Sequence, residues 1–218
     1  RPGPDAASWY DTAPLRETLS ELVDFELIND GPVRLSVTAV DVESGNSAPF
    51  DSRKQEITVD HVMASGALPP GFPAIEIDGR RYWDGGIVSN TPLNDVLDDE
   101  PHQSTLIFQV DLFNQKGRLP DNLDDVLERQ KDIQFSSRTR YNTQRFADVQ
   151  KMRRAIAAFL EQVPDNIRDA PQLAGLWPHA CSETMTIVHL IYRHRVDELE
   201  SKDYEFSRAS MLEHWQSG

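Results

Sequence analysis

Residues 74–86, AIEIDGRRYWDGG, restrict the fold more than any other stretch of the chain. Asp78-Gly79 is a two-residue turn signal. The tight turns that suit twisted strands need positive φ at their centre, which Gly adopts freely and Asp tolerates. Ile75 and Ile77 on one side and Tyr82 and Trp83 on the other supply β-rich arms. A hairpin over residues 74–84 follows, and its second arm ends on Asp84, with Gly85 and Gly86 behind it. A strand end holds a carboxylate rigidly, and adjacent glycines let the backbone turn sharply and another segment approach closely. Strand ends of this kind line the ligand crevice of open α/β sheets, where an Asp can orient or deprotonate a nucleophile. The same three residues equally suit a plain turn closed by an Asx-type hydrogen bond, so D-G-G alone leaves both readings open.

The rest of the chain alternates between strand and helix patterns. Residues 1–14 read as loop, with Trp9 and Tyr10 as an aromatic anchor on the body. A helix is expected over 14–28, with Leu15, Leu19, Leu22 and Val23 on one face and a stop at Asn29-Asp30-Gly31-Pro32. Alternation of Val33, Leu35, Val37 and Ala39 with polar residues predicts a strand, and 47–53 a weaker returning one. A short helix is expected over 58–67, and a further one capped by Asn90 or Thr91 with Pro92 in its first turn. The apolar runs 104–113 and 184–192 read as buried strands. Helices are expected over 121–133 and 141–163, the latter with a core stripe of Phe146, Val149, Met152, Ile156, Phe159, Leu160 and Val163, and a last short one over 203–215. This alternation argues an α/β layered fold with a largely parallel sheet. Two regions are expected, 1–113 and a helical extension, 114–218, with one further strand.

Charge and composition remove several function classes. The net charge of −14 opposes sequence-independent nucleic-acid binding. The one cysteine, Cys181, cannot form an intrachain disulfide and reads as a small buried residue. No apolar run reaches the ~20 residues of a membrane span, and no signal peptide is evident, so a cytoplasmic location is expected. The histidines and cysteine lack zinc spacing, and Asp95, Asp98, Asp99 and Glu100 lack that of a calcium loop; neither a metal nor a cofactor is expected. His189 reads as a hydrogen-bonded core histidine, while His102 falls in a polar loop and His194 near a strand end. Arg129, Lys131, Arg138, Arg140, Arg145, Lys151, Arg153 and Arg154 form a basic run. Intramolecular pairing with the acidic body is the plainer reading, and an anionic membrane or partner surface the sharper one.

Ala64, Ser65, Ala67, Leu68, Pro69, Phe72 and Pro73, then Asp84, Gly85 and Gly86, then Asn90, Thr91 and Pro92 form one composite pattern. It resembles the aspartate-bearing region of the patatin-like phospholipases. Residues 120–218, including DYEFSR, resemble the C-terminal extension of a bacterial subgroup of that family. The resemblance implies a partial three-layer α/β/α sheet and hydrolysis of a lipid or small ester through a Ser–Asp dyad. Asp84 corresponds to the base. No G-x-S-x-G elbow and no Gly-rich oxyanion loop occurs in the 218 residues. Both precede the D-G-G region in the family, so the chain is expected to be the C-terminal part of a longer protein and inactive alone, with the missing N-terminal half as its partner. Ser65 and Ser89 lack an elbow and read as structural. The alternative is a noncatalytic patatin-derived module acting at a partner or membrane surface; a transacylase would differ only in the acceptor.

Overall fold

The computed structural model describes residues 8–89, 93–97, 103–113, 116–191 and 207–217. They belong to two compact units, one of Arg1–Pro92 with Ser201–Glu213 and the other of Leu93–Glu200 with His214–Gly218.

The first unit opens with α1, Ala13–Leu22, with Pro14 in its first turn. The single helix expected over 14–28 is in fact two. The carboxylate of Asp24 accepts the Leu27 N–H at 2.9 Å and caps a new helix, α2, Phe25–Asp30. Asp offers the backbone this competing partner, which is why it breaks helices and starts them. Of the apolar face expected on α1, Leu19 packs against the core whereas Leu15 and Leu22 are exposed.

Four strands form an antiparallel sheet in the order β2-β1-β4-β3: β1, Ser36–Asp41; β2, Ser47–Asp51; β3, Ile75–Ile77; and β4, Arg80–Asp84. The predicted hairpin is β3–β4. Asp78 and Gly79 turn it with φ of 51° and 77°. The expectation of a largely parallel sheet does not hold for these strands. The hairpin connections at residues 42–46 and 78–79 are too short for the crossover that parallel neighbours need. A short helix, α3, Val59–Ser65, lies over one face. Between them sit Ala39, Phe50, Ile57, Met63, Ala64, Ala67, Ile75 and Tyr82. The rings of Phe50 and Tyr82 meet edge to face at 5.3 Å.

Asn29 reads from sequence as a helix stop, and it also ties α2 to this core. Its Oδ1 accepts the Ile57 N–H at 2.8 Å and its Nδ2 donates to the Ile57 carbonyl at 2.9 Å, as a neighbouring strand would. Ile57 is fully buried, and burying such a side chain contributes about 1.5–3 kcal/mol only while its backbone is satisfied. On the outer edge, Arg34 Nε donates to Asp51 Oδ2 at 2.8 Å, and that guanidinium holds the Asp51 carboxyl below the usual carboxylate range.

The second unit contains α4, Leu93–Leu97; β5, Thr105–Asp111; α5, Leu123–Glu161; α6, Pro171–Ala174; and β6, Met185–Ile191. β5 and β6 pair in parallel, from Thr105↔Met185 to Asp111↔Ile191. Two helices were expected where α5 runs unbroken for 39 residues. No Gly or Pro interrupts it, and the polar segment between the two apolar stripes is made of residues a helix accepts. Asn122 caps its start by accepting the Asp125 N–H at 2.9 Å. Gln150 ties α5 to the entry of β6, donating to the Glu183 carbonyl at 2.9 Å, and the rings of Phe113 and Phe135 lie 5.0 Å apart beyond the exit of β5.

Two expectations of burial are corrected here. β5 alternates instead of being covered on both faces: Gln109 is buried while Leu106, Phe108 and Val110 are exposed, as is Leu190 on β6. Along α5, Leu160 and Val163 just beyond its end are buried, but Met152 and Phe159 face outward. The last helix, α7, spans Arg208–Ser217.

Candidate active site

Asp84 is the final residue of β4 and pairs with Ala39 of the central strand β1. Antiparallel partners project to the same face, so Asp84 lies on the α3 side of the sheet. Its N–H donates to the Ala67 carbonyl at 3.0 Å, just beyond α3. Its Oδ1 accepts the Gly86 N–H at 2.7 Å. The side chain is half-buried. Gly85 begins a 3-10 turn ending at Ile87, and its carbonyl accepts the N–H groups of Val88 and Ser89 at 3.0 and 2.9 Å.

The reason for Gly85 is steric. A Cβ there would lie 2.3 Å from the Thr38 carbonyl oxygen on β1. The close approach expected of the D-G-G motif is therefore made by the neighbouring strand. The Asx-type bond expected of a plain turn is also present, so the motif is at once a turn and a strand-end carboxylate held in one orientation.

The segment that precedes the hairpin frames this turn. The Ser65 hydroxyl donates to the Val62 carbonyl at 2.8 Å, one turn back in α3, which is the structural role expected of it. The aromatic anchor expected at Trp9 and Tyr10 is corrected: both residues are exposed, and the tie runs through their backbones. Their N–H groups donate to the carbonyls of Pro70 and Gly71, both at 3.0 Å, and the Tyr10 ring lies 6.1 Å from that of Phe72. Asn90, Thr91 and Pro92 lie outside the described residues.

One buried group near this site escaped the sequence reading. His61 is the third residue of α3 and completes a capping box with Thr58. Its Nδ1 accepts the Thr58 N–H at 3.0 Å, and its ring lies edge-on to Phe50 at 4.6 Å. Burial pulls its pKa below the ordinary histidine value, against the opposing effect of Asp60. The signal was the Thr58-to-His61 spacing, in which a Glu or Gln is the familiar partner.

The remaining candidates divide. Cys181 is buried, with the Gln150 amide 3.8 Å from its sulfur, as expected of a structural residue. His189 is exposed on β6, which corrects its reading as a core histidine. His102, His194, Asp98, Asp99 and Glu100 fall outside the described residues. Within the basic run, Arg154 donates to the Glu183 carbonyl and at 2.8 Å to the Thr184 hydroxyl, and Lys151 pairs with Asp148 at 3.4 Å, which supports intramolecular use of those charges. Among the described residues, no group of three His, Cys, Asp or Glu side chains is arranged to hold a metal, and no helix is long and apolar enough to cross a membrane.

No curated protein matches the chain. Two family models do. Residues 2–97, which contain Asp84 and the whole of the antiparallel sheet, match the model described as patatin-like phospholipase. Residues 133–218 match a second, described as patatin phospholipase. The matched segments lie on both sides of the Pro92/Leu93 junction and agree in family with the composite pattern around Asp84, and on these grounds the chain belongs to the patatin-like phospholipases.

Proposed function

We propose that this chain is part of a lipid acyl hydrolase in which Asp84 is the general base of a Ser–Asp dyad. The observation that carries this reading is the aimed carboxylate: a half-buried Asp at the end of β4, with one oxygen held by the Gly86 N–H, in a chain of the patatin-like phospholipase family. The serine comes from a segment beyond these 218 residues, because the sequence holds no elbow and Ser65 is committed to α3. In this mechanism the serine oxygen attacks the ester carbonyl and its proton passes to Asp84. The departing alcohol takes that proton. Water, deprotonated by the same carboxylate, then attacks the acyl-enzyme; the fatty acid is released and the proton passes from Asp84 back to the serine oxygen.

The test is Asp84→Asn in a protein that includes the serine, assayed with a p-nitrophenyl ester. Asn keeps an oxygen for the Gly86 N–H, so the fold is retained while the base is lost. Loss of a positioned general base lowers turnover by about 10²–10⁴-fold. Turnover at the unaltered rate would refute the assignment. The absence of an elbow serine from this sequence favours one other reading, a noncatalytic module. That reading requires no ester turnover in the longer protein before any substitution is made.

A further inference from the structure

The third position of a capping box is ordinarily filled by Glu or Gln, whose oxygen accepts the N-cap N–H over the whole physiological pH range. In α3 that position is His61, and the acceptor is an imidazole nitrogen 3.0 Å from the Thr58 nitrogen. An imidazole can accept there only through an unprotonated Nδ1. The proton of the neutral ring is then on Nε2, which lies 3.1 Å from the Gln55 amide nitrogen; a half-turn of that amide would bring its oxygen there to accept. Adding a second proton makes Nδ1 a donor: the Thr58 hydroxyl, 2.9 Å away, can accept it, but the Thr58 N–H loses its acceptor. The cap cannot survive that change in its present form.

What lies at the other end of α3 makes this more than a local matter. α3 has seven residues, and Ala67, two residues past its end, supplies the carbonyl that receives the Asp84 N–H. Met63 and Ala64 of the same helix are buried in the core that backs β1 and β4. We propose that His61 is a positioning residue whose neutral imidazole locks α3, and that acid releases this lock and loosens the backbone of Asp84. The link to catalysis rests on the dyad reading; the lock itself does not.

The charges around the imidazole do not remove the effect. Asp60 on α3 itself, Glu56 just before it and Asp78 in the β3–β4 turn all favour the charged ring, yet burial outweighs them. Asp60 is in turn ion-paired with Arg16 of α1. On the strands beneath, Asp41 of β1 is paired with Arg80 of β4, Glu76 of β3 with Arg81 of β4, and Tyr82 presents its ring to Phe50. A histidine with a lowered folded-state pKa contributes its full stability above the unfolded value of about 6.5 and loses it as pH falls from there through the folded pKa. The opened state then gains population by up to about tenfold per pH unit.

Two measurements on the 218-residue chain test this. The imidazole nitrogen shifts of His61 are expected to show the Nε2–H tautomer at pH 8 and a protonation midpoint below the ordinary histidine value; an Nδ1–H tautomer would overturn the proposal even if every variant failed to fold. Hydrogen exchange at the Asp84 amide, corrected for the intrinsic pH dependence, is then followed from pH 7.5 to 5 in the native chain and in His61→Gln. The native chain should lose protection by up to about tenfold per pH unit below 6.5. His61→Gln, which keeps an acceptor that does not titrate, should show a flat profile. An equal fall in both would overturn the proposal. Neither readout involves substrate, so an active Asp84→Asn enzyme would refute the dyad and leave the acid-released lock standing.

Discussion

Gly85→Ala should be among the most damaging single-methyl changes in the first unit. The added Cβ would sit 2.3 Å from the Thr38 oxygen and 2.7 Å from its carbonyl carbon, where real Cβ contacts under 3.0 Å are essentially never found. Relief requires a shift of at least about 0.7 Å in backbone, not in the end of a flexible side chain. The backbone concerned is β1, the strand bonded to both β2 and β4, so moving it strains two ladders at once. Overpacking of this sort costs typically 1–3 kcal/mol, and the rigidity of the obstacle places Gly85→Ala near about 3, a fall of about 150-fold in the folded-to-unfolded ratio. Gly79→Ala is the matching control. It meets nothing within 4 Å but has a φ of 77°, so it carries only the left-handed backbone penalty of about 1–2 kcal/mol. Equilibrium urea denaturation of both variants, followed by far-ultraviolet circular dichroism, compares the two costs directly. A Gly85→Ala variant within about 0.5 kcal/mol of the native chain, or more stable than Gly79→Ala, would refute the close-approach explanation for the D-G-G motif.

Asn29→Ala should destabilise the first unit by about 2–4 kcal/mol in the same denaturation assay, because it strands both backbone groups of the fully buried Ile57. Asp24→Ala removes the cap of α2 and should cost about 1 kcal/mol, with the exchange protection of the Leu27 amide lost first. The lowered pKa of Asp51 contributes stability that is present above the unfolded value near 3.8 and is lost as pH falls through the folded value. Arg34→Gln should therefore raise the Asp51 pKa, read by carbon-detected titration, and flatten the acid limb of the unfolding free energy; an unmoved pKa would count against Arg34 as its main cause.

Much of the first unit was legible because its signals are local. Asp78-Gly79 named the hairpin, alternation named β1, and the hairpin carried Asp84 to a strand end without knowledge of any other element. The misreadings have physical causes of two kinds. Asp24 and the Gly- and Pro-free run beneath α5 show a single side chain and a missing breaker overriding apolar periodicity, splitting one expected helix and fusing two others. Strand direction and burial were harder, because they depend on partners distant in sequence. Nothing within residues 104–113 tells that one face of β5 stays uncovered, or that its pairing partner begins at Met185. Of the candidate site, Asp84, Gly85 and Gly86 were named from motif and spacing. The Thr38 carbonyl that requires Gly85, and the histidine that caps α3, come into view only when β1 and α3 are folded against β4.

The bond from the Gly86 N–H to Asp84 Oδ1 closes within three consecutive residues. Because both ends of that bond belong to one short peptide, this part of the carboxylate's orientation is inherited along the chain. Substitutions among Val37, Ile77 or the other half-covered residues beside the core can erode stability while leaving that direction intact. A chain that carries such a self-aiming tripeptide can let its hydrophobic interior drift and exchange one set of core side chains for another around a fixed carboxylate geometry.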